Sequence, residues 1–261
     1  MNEVNRTLYI PLYGKALVSR RNMILEDPDA ERIWAAEGFA MHGKAKSVWL
    51  AYNMAMRARV FDDWTDEMLR QHPDALVLHI GCGLDSRFRR VRQPYVSWYD
   101  CDLEDVIRVR REYWDENDRY HMTALDASDP AQISQLPERP AVIVIMEGLS
   151  MYLTNPQVHD LLSALHRKYE EMHVLMDVYT RFGADASKFK NPIHDVGASR
   201  VYGISDINAL ISGTGIRLKM EHSFTPEFLI NELRPSEQRL FRLMFVNRMY
   251  GKIYRLFELE G

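Results

Sequence analysis

The sequence predicts an α/β fold: a doubly wound, mostly parallel seven-stranded sheet with an N-terminal helical cap. Three observations support this prediction. Apolar, strand-like runs alternate with helical stretches from Ala75 onward, a glycine-containing turn follows the first run directly, and about seventy residues of helical character precede it. Each crossover helix must pack back onto a face of the sheet, so repeated alternation favours parallel strands.

The N-terminal part is expected to be helical. Residues 45–69 place apolar side chains at helical spacing, from Val48 and Ala51 to Trp64 and Leu69, and Pro73 ends the pattern. We expect residues 1–72 to form a cap over the sheet within a single domain that spans residues 1–261.

The remaining elements follow in chain order. Within a cofactor-binding core at residues 75–178 we expect strands at 75–80, 96–101, 120–124, 141–146 and 173–178, and helices at 85–91, 103–114 and 156–169. Residues 180–203 interrupt the alternation with glycines, Pro192 and charged residues, and are interpreted as a lid or a disordered insert. Residues 204–261 should complete the sheet, with helices at 206–212 and 226–243, a strand at 216–224 and a last, antiparallel strand at 252–260.

The turn after the first strand reads Gly-Cys-Gly-Leu-Asp-Ser-Arg at residues 81–87, and Asp102 ends the next strand, nineteen positions after Gly83. Open α/β sheets bind an adenosine with glycines at such a turn and a carboxylate about twenty residues later. Glycine lets the backbone approach the ligand closely, and the carboxylate accepts hydrogen bonds from the ribose hydroxyls.

The same turn departs from the dinucleotide pattern. Ser86 stands where the third glycine would be, and Asp85 lies where a pyrophosphate would rest on the helix N-terminus. We therefore favour S-adenosylmethionine, which has no phosphate, over NAD. An alternative is that Asp85 and Asp102 only cap helices, and a nicotinamide-dependent oxidoreductase is a disfavoured further interpretation.

Composition and charge argue against some classes of partner and of site. The 261-residue chain has 46% apolar residues and a net charge of -4, with lysine and arginine spread along it, which argues against nucleic acid or anionic membrane as a partner. With apolar runs of only about six residues, we expect no membrane span and a cytoplasmic protein. Cys82 and Cys101 are expected to be reduced thiols, and the histidine spacing predicts no metal.

Several motifs together resemble one family. They are residues 12–16 (Leu-Tyr-Gly-Lys-Ala), 57–62 (Arg-Ala-Arg-Val-Phe-Asp), 81–87, 98–103 (Trp-Tyr-Asp-Cys-Asp-Leu) and 147–153 (Glu-Gly-Leu-Ser-Met-Tyr-Leu). In these the chain is similar to the leucine carboxyl methyltransferase and polyketide O-methyltransferase family of class I S-adenosylmethionine-dependent enzymes. It departs from the usual family pattern at Cys82, often alanine or serine, and at Lys15, commonly arginine in the polyketide branch.

The resemblance and the predicted fold together suggest site residues. The expected cofactor-binding residues are Lys15, Arg57, Gly81, Cys82, Gly83, Asp102, Leu103, Asp126, Ala127, Glu147 and Gly148. The resemblance implies that Lys15 and Arg57 pair with the methionine carboxylate of the cofactor.

The other predicted roles follow from position. Asp126 ends the third strand and is expected to accept the adenine amine, although it is also consistent with a turn before Pro130. Glu147 follows a central strand, where ligands bind in such sheets, and is expected to bond the cofactor's amino group or to hold the turn beneath the sulfonium. Glu147 and Tyr152 are the catalytic candidates, and a plain core tyrosine is an equal alternative for Tyr152.

The sequence therefore predicts an O-methyltransferase acting on a carboxylate of a small molecule, a polyketide-like compound or a peptide C-terminus. A carboxylate is ionised near neutrality and needs no general base, whereas a hydroxyl acceptor needs one. A cation should lie beside such an acceptor, and the candidates are Arg20, Arg21, Arg181, Lys188, Lys190 and Arg200. The alternative is a non-catalytic, regulatory S-adenosylmethionine-binding protein.

Overall fold

A computed structural model describes residues 8–37, 46–190, 201–246 and 250–261, with only the backbone at 187–190. Its seven strands form one sheet in the order β3-β2-β1-β4-β5-β7-β6, in which β1 to β5 are parallel and β7 is antiparallel to both β5 and β6. The strands are β1 Leu76–Ile80, β2 Ser97–Asp102, β3 Tyr120–Ala124, β4 Ala141–Met146, β5 Glu171–Tyr179, β6 Arg217–His222 and β7 Tyr254–Glu260. The predicted fold class is confirmed.

Helices cover both faces of this sheet. They are α1 Tyr9–Ser19, α2 Pro28–Glu37, α3 Val48–Gln71, α4 Arg87–Arg90, α5 Glu104–Arg110, α6 Asn155–Lys168, α7 Arg181–Lys190, α8 Ile207–Ile211, α9 Glu227–Ile230 and α10 Pro235–Phe245. No helix in the described ranges is long and apolar enough to cross a membrane.

The two faces of the sheet pack against different helices because alternate strand residues point in opposite directions. On one face Val77, Ile143 and Leu175 share a core with side chains of α1 to α3, such as Phe61. On the other face the intervening strand residues pack on α6 and α8. The N-terminal helices therefore form a full layer of the fold, with a core that they share with the sheet.

Some predicted elements have different bounds. The helix predicted at 85–91 is a single turn, α4, and the one at 103–114 ends at Arg110. The stretch 226–243 forms two helices, because Pro235 supplies no N–H for a continuous helix and instead occupies the first turn of α10. Within the segment 180–203, interpreted as a lid or a disordered insert, residues 181–190 form the helix α7, and residues 191–200 lie outside the described residues.

Candidate active site

A cavity of about 480 Å³ lies at the carboxyl ends of β1, β2 and β4. Every residue predicted from the sequence to bind cofactor or to act in catalysis lines it: Lys15, Arg57, Gly81, Cys82, Gly83, Asp102, Leu103, Asp126, Ala127, Glu147, Gly148 and Tyr152. Cavities of this size hold small organic ligands. The fold thus brings together residues that are spread over most of the chain.

The glycine turn forms the floor of the cavity. Gly81 and Gly83 have φ of 74° and 54°, a conformation that side chains rarely adopt. A Cβ on Gly81 would meet Leu149 Cδ1 at 3.0 Å and Leu149 Cβ at 3.1 Å, and a Cβ on Gly83 would meet Leu8 Cδ2 at 2.9 Å. Backbone strain therefore favours glycine at both positions, and close packing against Leu149 adds to it at Gly81.

Substituting Gly81 by alanine should lower protein stability by more than backbone strain alone. Gly213 is a matched control, since its φ is 80° and a Cβ there meets nothing within 4 Å. We expect Gly213→Ala to cost about 1–2 kcal/mol from the left-handed conformation, and Gly81→Ala to cost a further ~1 kcal/mol or more from overpacking. Melting temperatures of the two variants test this, and equal losses would contradict the close packing at Gly81.

A buried arginine holds the glycine turn from below. Arg110 Nη1 donates to the carbonyl oxygens of Gly83 at 2.7 Å and of Asp85 at 2.9 Å. Its Nη2 donates to the Asp100 carboxylate and, at 2.9 Å, to the Tyr120 hydroxyl. These contacts connect the turn to β2 and β3 and fix the position of its backbone at the floor of the cavity.

Asp102 faces the cavity at the end of β2. Its Oδ2 accepts a hydrogen bond from Gly83 N and its Oδ1 accepts one from Leu103 N, both at 2.8 Å. Burial raises the pKa of Asp102 to about 6, against the opposing effect of these two N–H donors. The first residue flanking α5 is Leu103, without a side-chain cap, so the interpretation of Asp102 as a plain helix cap is wrong.

Asp126 follows β3 on the same side. Its Oδ1 accepts from both Ser128 N, at 2.8 Å, and Ser128 Oγ, at 2.7 Å. Asp126 thus stabilises a turn and also lines the cavity. The adenine contact remains a prediction.

Glu147 belongs to a buried ion network between α3 and the sheet. Arg57 Nε lies 2.9 Å from Glu147 Oε1, and Arg87 Nη2 pairs with Glu147 Oε2. Arg57 Nη1 also lies 2.9 Å from Asp177 Oδ2. Burial alone would raise the pKa of Glu147, but Arg57 and Arg87 outweigh it and lower this pKa to about 2. Glu147 is therefore an ionised carboxylate that holds two arginines in place.

Asp85 is paired with cations in the same network. Lys15 Nζ lies 2.7 Å from Asp85 Oδ2 and Arg90 Nη1 lies 2.8 Å from Asp85 Oδ1. Burial opposes ionisation, but Arg90, Lys15 and Arg87 hold the pKa of Asp85 well below its usual range. Asp85 does not cap α4, whose flanking residue is Ser86. Because its charge is balanced, Asp85 supplies no free negative charge against a phosphate, and that step of the sequence argument is corrected.

The opposite wall of the cavity is apolar and aromatic. It is formed by side chains from the start of α1, from α3, from the turn after β4 and from the region around α10 and β7: Leu8, Ile10, Leu12, Leu50, Met54, Met151, Tyr152, Tyr179, Phe245, Tyr250, Ile253 and Tyr254. Burial raises the pKa of both Tyr250 and Tyr254, so these phenols stay neutral at physiological pH.

The predicted acceptor cations do not gather at the cavity in the described part of the chain. Arg20 pairs with Glu31 at 3.6 Å, Arg21 donates to Tyr52, and neither lines the cavity. Arg181 is exposed at the start of α7. Arg200 and the side chains of Lys188 and Lys190 lie outside the described residues. Among the described residues, the lining of the cavity contains one lysine, Lys15, and one arginine, Arg57.

Two residues that were not predicted from the sequence, Asp177 and Tyr254, complete the network behind Arg57. Asp177 Oδ1 accepts from Gly148 N at 2.7 Å, and its Oδ2 accepts from the Tyr254 hydroxyl. The signal for Asp177 was present, since it is an acid near the carboxyl end of a buried parallel strand, as Glu147 is. Tyr254 gave no such signal. Cys82 and Cys101 are free, buried thiols as predicted, and burial raises the pKa of each.

Comparisons with known proteins agree with this architecture. The family model for leucine carboxyl methyltransferase matches residues 6–166. The tetracenomycin polyketide synthesis O-methyltransferase TcmP of Streptomyces glaucescens is 29% identical over 238 residues, which cover 90% of this chain and 88% of TcmP. The S-adenosyl-L-methionine-dependent methyltransferase dpfgK of Gibberella zeae is 31% identical over 170 residues, 59% of this chain and 56% of dpfgK.

Solved structures share the fold. A DUF574-family protein from Streptomyces avermitilis aligns with a TM-score of 0.59 at 12% identity, over 89% of this chain and 90% of its own. Magnesium protoporphyrin IX methyltransferase from Synechocystis, solved with bound S-adenosylhomocysteine, aligns with a TM-score of 0.53 at 13% identity, over 88% and 92% of the two chains.

Proposed function

The chain belongs to the leucine carboxyl methyltransferase family, and from that premise we propose that it methylates a carboxylate of an apolar, ring-containing small molecule. The donor is S-adenosylmethionine, as the methyltransferase family requires. The observation that carries the acceptor proposal is the cavity itself, which combines a polar floor at the strand ends with an apolar wall. The acids and the histidine among its described lining residues all contact other groups of the protein.

The floor fits the nucleoside part of this donor. Gly81 and Gly83 line the cavity with backbone alone, and Asp102 presents a carboxylate whose oxygens each carry only one N–H donor. A carboxylate oxygen has two lone pairs, so Asp102 retains acceptor capacity for both ribose hydroxyls. We assign ribose binding to Asp102, and assign the adenine side to Asp126 and Ala127.

The ion network fits the amino acid end of the donor. Lys15 and Arg57 line the cavity as buried cations, and Glu147 lines it as a buried, ionised carboxylate. In our proposal Lys15 and Arg57 pair with the ligand carboxylate, and Glu147 accepts from the ligand amino group. Charge-assisted hydrogen bonds of this kind contribute about 1.5–3 kcal/mol each.

In the proposed reaction the main contribution of the protein is to position the donor and the acceptor. The bound sulfonium supplies an already activated methyl group. The residues of this chain hold the donor on the glycine turn and use the apolar wall to exclude water and orient the acceptor. Correct alignment of two reactants can contribute about 7–11 kcal/mol to lowering the barrier. Tyr152, at the base of the apolar wall, is our candidate for orienting the acceptor oxygen.

The acceptor class follows from the groups that line the cavity. Glu147 and Asp85 are engaged by cations, and Tyr250 and Tyr254 are neutral phenols. The lining histidine, His79, lies between Arg87 and Asp100, 3.3 Å from each, so none of these groups is suited to remove a proton from a hydroxyl acceptor. A carboxylate needs no proton removed near neutrality. The apolar wall favours an aromatic or polyketide-like acid over the polar backbone of a peptide.

The test pairs acids with matched alcohols. Purified protein is incubated with S-adenosylmethionine and a set of aromatic carboxylic acids, each beside the analogue in which a hydroxymethyl group replaces the carboxylate. We expect formation of a methyl ester, detected by mass and by its cleavage in mild base, and no reaction of the matched alcohols. Methylation confined to the alcohols, or donor binding without transfer to any acid, would contradict the proposal.

A further inference from the structure

Three side chains converge at the end of the sheet that lies away from the cavity. His72 Nδ1 lies 3.5 Å from Glu171 Oε1, and His173 Nε2 lies 3.2 Å from the same oxygen. One donor atom from each of the three residues falls within 4.8 Å of the others, and the two imidazole rings are 4.3 Å apart. Two imidazoles and a shared carboxylate are typical ligands of a divalent transition metal.

The fold explains the convergence. Glu171 and His173 are separated by two positions at the amino end of β5, so their side chains lie on the same face of the sheet. That face, which also presents Leu175, is covered by α3, and His72 is the residue that ends α3. The site therefore joins the last turn of a long helix to the start of a strand.

The spacing of the ligand atoms suits tetrahedral zinc. With zinc–ligand bonds of about 2.0–2.2 Å, neighbouring ligand atoms in a tetrahedron lie roughly 3.4 Å apart. The distances from Glu171 Oε1 to His72 Nδ1 and to His173 Nε2, 3.5 and 3.2 Å, bracket that value. The side chains of His72, Glu171 and His173 are 20%, 51% and 9% exposed, so the site is open to solvent on one side, where a water ligand can complete four-coordination.

We propose that His72, Glu171 and His173 bind a zinc ion that ties α3 to β5. The nearby Lys219 is paired with Glu258 at 3.0 Å, which offsets its charge. This inference is independent of the methyl acceptor and of the donor.

The expected affinity is moderate, because His173 Nδ1 is buried without an acceptor. A ligating histidine normally donates its other N–H, and loss of such a partner typically costs 10–100-fold in affinity. We therefore expect micromolar binding. His173 precedes Asp177 of the ion network by four strand residues, roughly 13 Å, so the site acts on stability rather than on the reacting groups.

The experiment titrates zinc chloride into tag-free, chelator-treated protein by calorimetry and follows the melting temperature. We expect one ion per chain, and a rise in melting temperature of about 5–10 °C when free zinc is a hundredfold above the dissociation constant. His72→Gln and Glu171→Gln, both at partly exposed positions, should weaken binding at least tenfold and abolish the thermal shift.

His222→Gln is the matched control. His222 Nε2 lies 2.6 Å from Glu258 Oε2, so it forms a histidine–carboxylate pair, and in the described part of the chain no second imidazole joins this pair in a metal-binding group. This variant should bind zinc as the unmodified protein does. Absence of saturable zinc binding, unchanged binding by both His72→Gln and Glu171→Gln, or equal loss in His222→Gln would each overturn the proposal.

Discussion

Replacing Glu147 by glutamine should lower the free energy of unfolding by about 3–5 kcal/mol. Glu147 is buried and pairs with two buried guanidinium groups, those of Arg57 and Arg87. Removal of one partner from a buried ion pair leaves uncompensated charge, which is among the costliest single changes in a protein. Chemical denaturation of the variant and the unmodified protein measures the loss.

Glu138→Gln is the control for this substitution. Glu138 also pairs with a cation, Lys168, at 2.8 Å, but its side chain is 85% exposed. An exposed pair contributes about 0–1 kcal/mol, so this variant should be nearly as stable as the unmodified protein. If Glu147→Gln is no less stable than Glu138→Gln, the buried ion network is not what holds α3 to the sheet.

The contribution of Glu147 to the free energy of unfolding should depend on pH. The pKa of Glu147 in the folded protein, about 2, is below its ordinary value. Its contribution to stability is therefore present above the ordinary carboxyl range and is lost as the pH falls toward about 2. In Glu147→Gln this acid-dependent part of the unfolding curve should be absent.

Replacing Asp102 by alanine should weaken S-adenosylhomocysteine binding between about tenfold and about 100-fold. The substitution removes the carboxylate that we assign to the ribose hydroxyls, and hydrogen bonds to a charged group contribute about 1.5–3 kcal/mol. Isothermal titration calorimetry gives the change directly. Glu104→Ala, two residues further on at an exposed position in the first turn of α5, should leave binding unchanged.

The affinity should also depend on pH through Asp102. Burial raises the pKa of Asp102 to about 6 in the ligand-free protein, so the carboxylate is partly protonated below that pH. Only the ionised form accepts from both hydroxyls, and affinity should therefore fall by up to about tenfold per pH unit below pH 6. Because the pKa of Asp102 is raised in the folded protein, the free energy of unfolding should fall as the pH rises from about 4 to about 6. Bound ligand should reduce this loss of stability, because its hydroxyls donate to the ionised carboxylate. Asp102→Asn should bind weakly at every pH, and a persistent pH dependence in it would assign the effect to another group.

The positions of the site residues could be predicted from the sequence because they follow strand ends. Gly81 and Glu147 come directly after apolar runs and Asp102 ends a strand, and parallel strands bring their carboxyl ends to one edge of a sheet. The partners of these residues could not be predicted in the same way. Arg87 reaches Glu147 across sixty residues, and Tyr254 reaches Asp177 from a late antiparallel strand, so both contacts depend on tertiary packing.

Three further features were not predicted, two of them because they also depend on residues that are distant in the sequence. The cluster of His72, Glu171 and His173, where we propose a zinc site, gave no signal in the histidine spacing because His72 is almost one hundred residues from Glu171. The charge balance of Asp85 required knowledge that Lys15 lies beside it. The division of 226–243 into two helices was visible in Pro235, but the helical periodicity on either side outweighed it in the sequence interpretation.

The floor and the apolar wall of the cavity come from different parts of the chain. The floor comes from loops after β1, β2, β3 and β4, whereas the apolar wall comes mainly from residues before α4 or after β5, including Leu50, Met54 and Phe245. Substitutions at well-separated sites usually act additively. Directed evolution of Leu50 and Phe245 should therefore change the size of the acceptor that is methylated with little effect on donor affinity. Met54 is less suitable, because it lies one helical turn from Arg57, which we assign to the donor carboxylate.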